Sequence, residues 1–112
     1  MDMIMENMAG GITKLVLRGR FDTTSAVAVE LPFNEIATQH PKVIVDLSAV
    51  SFLSSYGIRL LLVGAKTVHG SGGKLVIVCP EKNVLKVLNT AGTDALIPIF
   101  ETDTAAADAL RA

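Results

Sequence analysis

Short apolar runs alternate along this chain with segments whose apolar residues recur every three or four positions. Ile12-Thr13-Lys14-Leu15-Val16-Leu17-Arg18 mixes alternation with an apolar centre, while Val43-Ile44-Val45 and Leu75-Val76-Ile77-Val78 are unbroken. Runs of this length and composition read as strands, the last two buried on both faces. Residues 3–8 make a further strand, joined to 12–18 through Ala9-Gly10-Gly11 as a hairpin turn. Strand two ends at Gly19-Arg20-Phe21-Asp22, strand three covers Lys42 to Asp46, and strand four runs from Lys74 to Cys79. Leu96 to Phe100 is a last strand, which Pro98 confines to a sheet edge.

Helices fill the gaps. From Ser55 to about Gly70, Ile58, Leu61, Leu62, Ala65 and Val68 follow helical spacing, and Gly70-Ser71-Gly72-Gly73 closes the helix. Asp22, Thr23 and Thr24 are N-cap residues before a segment of about residues 24–39. Its apolar face is assigned to Ala28, Leu31, Ile36 and Ala37, and Pro32 is expected to kink it or split it in two. Residues 81–91 form a third helix with Val84, Leu85 and Leu88 inward. Asp103 to Arg111 forms a fourth, rich in alanine, with an acidic first turn.

The order ββαβαβαβα predicts an α/β fold: a mixed, mostly parallel sheet of four to five strands with helices packed on it. Sites in such sheets gather at the carboxyl ends of the strands. Two loops are expected on that edge, Asp22–Thr24 after strand two and Ser48–Tyr56 after strand three, which makes Asp22 and Ser55 neighbours in space.

Composition narrows the function. At 112 residues the chain reads as one domain, 1–112, with a core that is aliphatic, since half the residues are hydrophobic but only 4% aromatic. A net charge of -1 with scattered lysines and arginines gives no footprint for nucleic acid. No apolar run approaches the ~20 residues that span a bilayer, and Met1 to Gly10 lacks the form of a signal peptide. A cytoplasmic protein with no direct membrane insertion is expected. Cys79 is the single cysteine, read as a buried, inert thiol.

Few residues are placed for chemistry. Gly64-Ala65-Lys66-Thr67 lacks the Gly-Lys-Ser/Thr of a phosphate-binding loop and falls mid-helix; Gly70 to Gly73 ends a helix, where a phosphate cradle would open one. His40 and His69 sit on different elements without acidic or cysteine partners at ligand spacing, so no metal site is expected. No Ser–His–Asp arrangement, catalytic residue or cofactor is indicated. What stands out is Ser54-Ser55 at the start of an apolar helix, where unpaired amides favour an anion. A serine there can cap the helix or accept a phosphate, and residue type alone leaves both open. Phe52 and Leu53 are expected to anchor the preceding loop in the core.

The element order, Gly19-Arg20-Phe21-Asp22, and Asp46-Leu47-Ser48-Ala49-Val50-Ser51-Phe52-Leu53-Ser54-Ser55-Tyr56-Gly57 together resemble the STAS domain. That family covers bacterial anti-sigma factor antagonists and the cytoplasmic domains of sulfate transporters. The resemblance continues through Gly72-Gly73-Lys74-Leu75 and Thr90-Ala91-Gly92 and spans the whole chain. In the antagonists the strand-three loop ends in Phe-hydrophobic-Asp-Ser-Ser-Gly, and the first serine is phosphorylated by a kinase that doubles as the anti-sigma factor. Aligned on Phe52 and Gly57, that serine is Ser55, with Ser54 as the competing acceptor. The family's early aspartate falls on Asp22. Two departures stand beside the acceptor: Ser54 replaces the family's aspartate, and Tyr56 its second serine.

The resemblance implies a non-enzymatic protein, monomeric or weakly dimeric, that captures an anti-sigma factor with serine kinase activity and loses it on phosphorylation of Ser55. A phosphatase would reset it. Asp22, Thr23, Thr24, Ser54, Ser55, Tyr56 and Arg59 would form the partner surface. The alternative is a non-phosphorylated STAS subunit of an ABC lipid-transport or stress-signalling complex.

Overall fold

The computed structural model describes residues 1–111. Its elements run β1 (Asp2–Met8), β2 (Ile12–Phe21), α1 (Thr23–Gln39), β3 (Lys42–Leu53), α2 (Ser55–Gly70), β4 (Lys74–Val78), α3 (Lys82–Thr90), a 3-10 turn (Thr93–Ala95), β5 (Ile99–Phe100) and α4 (Asp103–Arg111). The sheet has five strands in the order β1-β2-β3-β4-β5; β1 pairs antiparallel with β2 and every later pair is parallel. The predicted order ββαβαβαβα is the observed one.

Because successive parallel strands add on the same side, right-handed crossovers put their helices on one face. Leu15, Leu17, Val43, Val45, Leu75 and Ile77 meet Phe33 of α1, Leu61 of α2 and Leu88 of α3 in the main core. The opposite face carries Ile12, Ile44, Val76 and Val78, covered by Ala106, Ala107 and Leu110 of α4. Lys14 fastens α4 there: its Nζ lies 2.6 Å from Asp103 and 3.4 Å from Asp46. The Asp103 hydrogen bond is the main reason its ammonium is held above the ordinary lysine range.

Five expectations are corrected. Pro32 does not split α1, which is continuous over 17 residues. Leu31 and Pro32 face solvent, so the hydrogen bond that proline cannot donate is lost on the wet side, while Ala26, Val29, Phe33 and Ala37 pack inward. The buried face therefore matches the assigned one only in part: Ala37 is buried and Ile36 packs against the core, whereas Ala28 is exposed and Leu31 is 69% exposed. Strand three extends well past Asp46, through Leu53, so most of the supposed loop is strand. Strand four stops at Val78: Cys79 adopts φ 49°, is only partly buried, and donates its thiol to the Glu101 carbonyl. Burial is the first cause of the upward shift of its thiol pKa. Finally, β5 is two residues long, because Leu96 lies outside the strand and Ile97 turns into the core.

Candidate functional site

The site is built by the paired ends of β2 and β3. Two irregularities in their register, between Val16 and Arg18 and between Gly19 and Arg20, each give β3 an extra residue. Asp46 accepts from the Ser48 amide at 2.8 Å at the first of them. Pairing nevertheless continues to Phe21 opposite Leu53, and the Ser54 amide donates to the Phe21 carbonyl at 2.9 Å. The next residues on the two strands, Asp22 and Ser54, therefore leave the sheet side by side.

Each of the two caps a helix. The Asp22 carboxylate accepts from the Ser25 amide at 2.9 Å and opens α1; Ser54 Oγ accepts from the Gly57 amide at 3.1 Å and opens α2. The hydrogen bond from the Ser25 amide, first, and the smaller pull of Arg20 hold the Asp22 carboxyl below its ordinary range. A side chain at Gly57 would stand 3.0 Å from Leu53 and 3.1 Å from Phe21, so this glycine lets α2 begin directly over the ends of both strands.

The cap and the candidate acceptor are thus different residues. Ser54 is the N-cap; Ser55 is the first residue of α2, exposed, and its hydroxyl has no hydrogen-bond partner among the described residues. The possibility that Ser55 itself caps the helix is set aside by this geometry. Thr23 and Thr24 are exposed in the first turn of α1, and Arg59 is exposed one turn beyond Ser55. All seven sequence-nominated residues lie at the starts of α1 and α2.

Tyr56 does not crowd Ser55. Its ring packs against the core and its hydroxyl donates to Glu30 Oε1 of α1 at 3.0 Å, which raises the tyrosine pKa. The bond ties the two helices together just inside the site. Glu30 is the residue that sequence reasoning missed, since nothing in Val29-Glu30-Leu31 marks it out without the position of α2. Phe52 and Leu53 have opposite fates: Leu53 is buried in the main core, whereas Phe52 is 40% exposed on the other sheet face. There the Arg20 guanidinium lies 4.4 Å from the Phe52 ring centroid, a cation–π contact that holds a positive group beside Asp22. The edge offers two adjacent helix starts, one free hydroxyl and both signs of charge.

A parallel-topped sheet with three helices on one face, one on the other, and this serine-bearing edge defines a known class. The chain belongs to the STAS domain family, whose model matches residues 4–106. Over 93 residues it is 28% identical to the anti-sigma-F factor antagonist RsfB of Mycobacterium tuberculosis, covering 82% of this chain and 75% of that protein. An anti-sigma factor antagonist from Mycobacterium paratuberculosis superimposes with a TM-score of 0.88 at 25% identity, over 99% of this chain and 94% of that one. The Bacillus protein SpoIIAA in its phosphorylated form shares the fold, with a TM-score of 0.74 at 19% identity over 98% and 100% of the two chains. No described helix is long and apolar enough to cross a membrane.

Proposed function

We propose that this protein is an anti-sigma factor antagonist that acts by binding, and that Ser55 is its phosphorylation switch. One observation carries the reading: Ser54 takes the capping role, which leaves the Ser55 hydroxyl exposed and unbonded at the first position of α2. A relative of this chain bears the name of an anti-sigma-F factor antagonist, and a fold neighbour is known in a phosphorylated form. The partner would be an anti-sigma factor with serine kinase activity, which supplies ATP; a phosphatase would return the protein to its active form.

The physics requires no refolding. A phosphate on Ser55 adds about -1.5 to -2 charges and three acceptor oxygens. The α2 amides and dipole tolerate that charge, and Arg59, four residues on, lies on the same helix face where it can pair with it. The fold stays while the surface beside Asp22 turns strongly negative. A partner docked on this edge meets like-charge repulsion, and its affinity falls by roughly 10²–10³-fold for a few kcal/mol of lost docking energy. Incubation with the cognate kinase and ATP, followed by mass spectrometry, should place phosphate on Ser55. Ser55→Ala should abolish it and Ser54→Ala should not; phosphate only on Ser54, or none, would overturn the assignment.

A second reading, a STAS subunit that grips its partner without phosphorylation, rests on Ser54 standing where the antagonist pattern has an acid. It predicts that Ser55→Glu leaves partner affinity unchanged.

A further inference from the structure

A groove of about 520 Å³ opens at the far end of α2 from Ser55, between the last turns of that helix, the start of β4 and the segment before β5. Much of its lining is aliphatic: Leu62, Ala65, the buried Leu75 and Leu96, a leucine 64% exposed with no core role. Lys66, His69 and Lys74 line it as well, and no aspartate or glutamate does. Neither lysine has an acidic partner within ion-pair distance among the described residues. The negative end of α2 is already neutralised there, since the Ser71 and Gly73 amides donate to the Val68 carbonyl and the Gly72 amide to that of His69.

An aliphatic lining shared with two lysines that have no acidic partner among the described residues and an imidazole is complementary to one chemical class. We propose that this groove binds an amphipathic carboxylate, an aliphatic chain of medium length ended by an anionic head. The tail lies over Ala65 and Leu75 and is clasped by Leu96; the carboxylate sits between Lys66 and Lys74, with the His69 ring as a further donor. The volume falls within the range of about 300–1,000 Å³ usual for small-molecule sites. The site is remote from the Ser55 edge and does not depend on the function proposed for it.

The test is an amide-resonance titration of the intact protein with octanoate, decanoate and decanol, each below its micellar concentration. Decanoate should shift Ala65, His69, Leu75 and Leu96. It should bind more tightly than octanoate by about fourfold per added methylene, and about tenfold more tightly than decanol, which has the tail without the charge. Replacing both lysines, Lys66→Ser with Lys74→Ser, should erase the preference for carboxylate over alcohol while keeping the dependence on chain length. Leu96→Glu, at an exposed position that the fold does not use, should abolish binding. Shifts centred away from this groove, equal affinity for decanoate and decanol, no shift at all, or binding unaffected by Leu96→Glu would each overturn the proposal.

Discussion

The starts of α1 and α2 are neighbours with the same architecture and different chemistry. Both follow paired strand ends, and in both a side-chain oxygen accepts an amide three residues on. At α1 the cap is Asp22, so the positive end of that helix already has its anion. At α2 the cap is the neutral Ser54, and the next residue carries an exposed hydroxyl. The same helix-end field is therefore satisfied in one place and open to a phosphate in the other. Under the proposed modification, a permanent negative charge at the end of β2 would stand beside a conditional one at the end of the neighbouring β3.

The comparison depends on the two helices being held together, and that is where the largest effect is expected. A Cβ at Gly64 would lie 2.2 Å from the buried Phe33 ring of α1. Gly64→Val should force the helices apart at a cost of about 3 kcal/mol, read by chemical denaturation. It should also loosen the Tyr56–Glu30 bond, and with it the alignment of the two starts. The next effect separates cap from acceptor. Ser54→Ala should cost about 1 kcal/mol, while Ser55→Ala should stay within about 0.5 kcal/mol. Equal losses would mean that the two serines share the capping role.

Most of this was legible in the sequence, and the failures have physical causes. The order of elements and the location of the edge follow from buried β-branched runs and helical spacing, which are set by strong, short-range preferences. Strand three was cut short at Asp46 because Ser48, Ala49 and Ser51 look like loop residues. In the fold they face outward on a bulged strand whose inward positions, Leu47, Val50 and Leu53, are buried, so the two-residue period is broken by the bulges and not by an end. The inner face of α1 is only partly legible: Ala37 is placed correctly, but Leu31 is drawn inward by its hydrophobicity although it faces solvent, and nothing in the sequence shows that Phe33 fills the space left by Gly64 of α2. Residue type alone leaves cap and acceptor open between Ser54 and Ser55; the family pattern points to Ser55 as acceptor, and only the last strand pair shows that Ser54 is the cap.

The acid side of the comparison is open to pH. The Asp22 carboxyl is lowered in the fold, so it contributes stability that is present above its ordinary pKa and lost as pH falls through the lowered folded value. Asp22→Asn keeps a good cap without the titration. The variant should match the parent more closely in acid than at neutral pH, and denaturation midpoints taken at pH 7 and below pH 4 should show the gap closing. A gap that widens in acid would show that another group governs this helix start.

The smallest effect on stability is also the sharpest test of why the two starts differ. Ser54→Asp makes the start of α2 a copy of the start of α1, and it restores the acid that the antagonist pattern places there. Serine and aspartate cap about equally well, so stability should change by no more than about 0.5 kcal/mol, and a carboxylate at a helix start is favoured by the dipole. The consequence should lie in function. A kinase that recognises an acid beside its acceptor should phosphorylate Ser55 faster in the variant, measured as initial phosphate incorporation, with Ser55→Ala as the blank. An unchanged rate would mean that the partner of this protein reads the serine cap as it stands, with specificity drawn from Arg20, Arg59 and the Tyr56–Glu30 bridge around it.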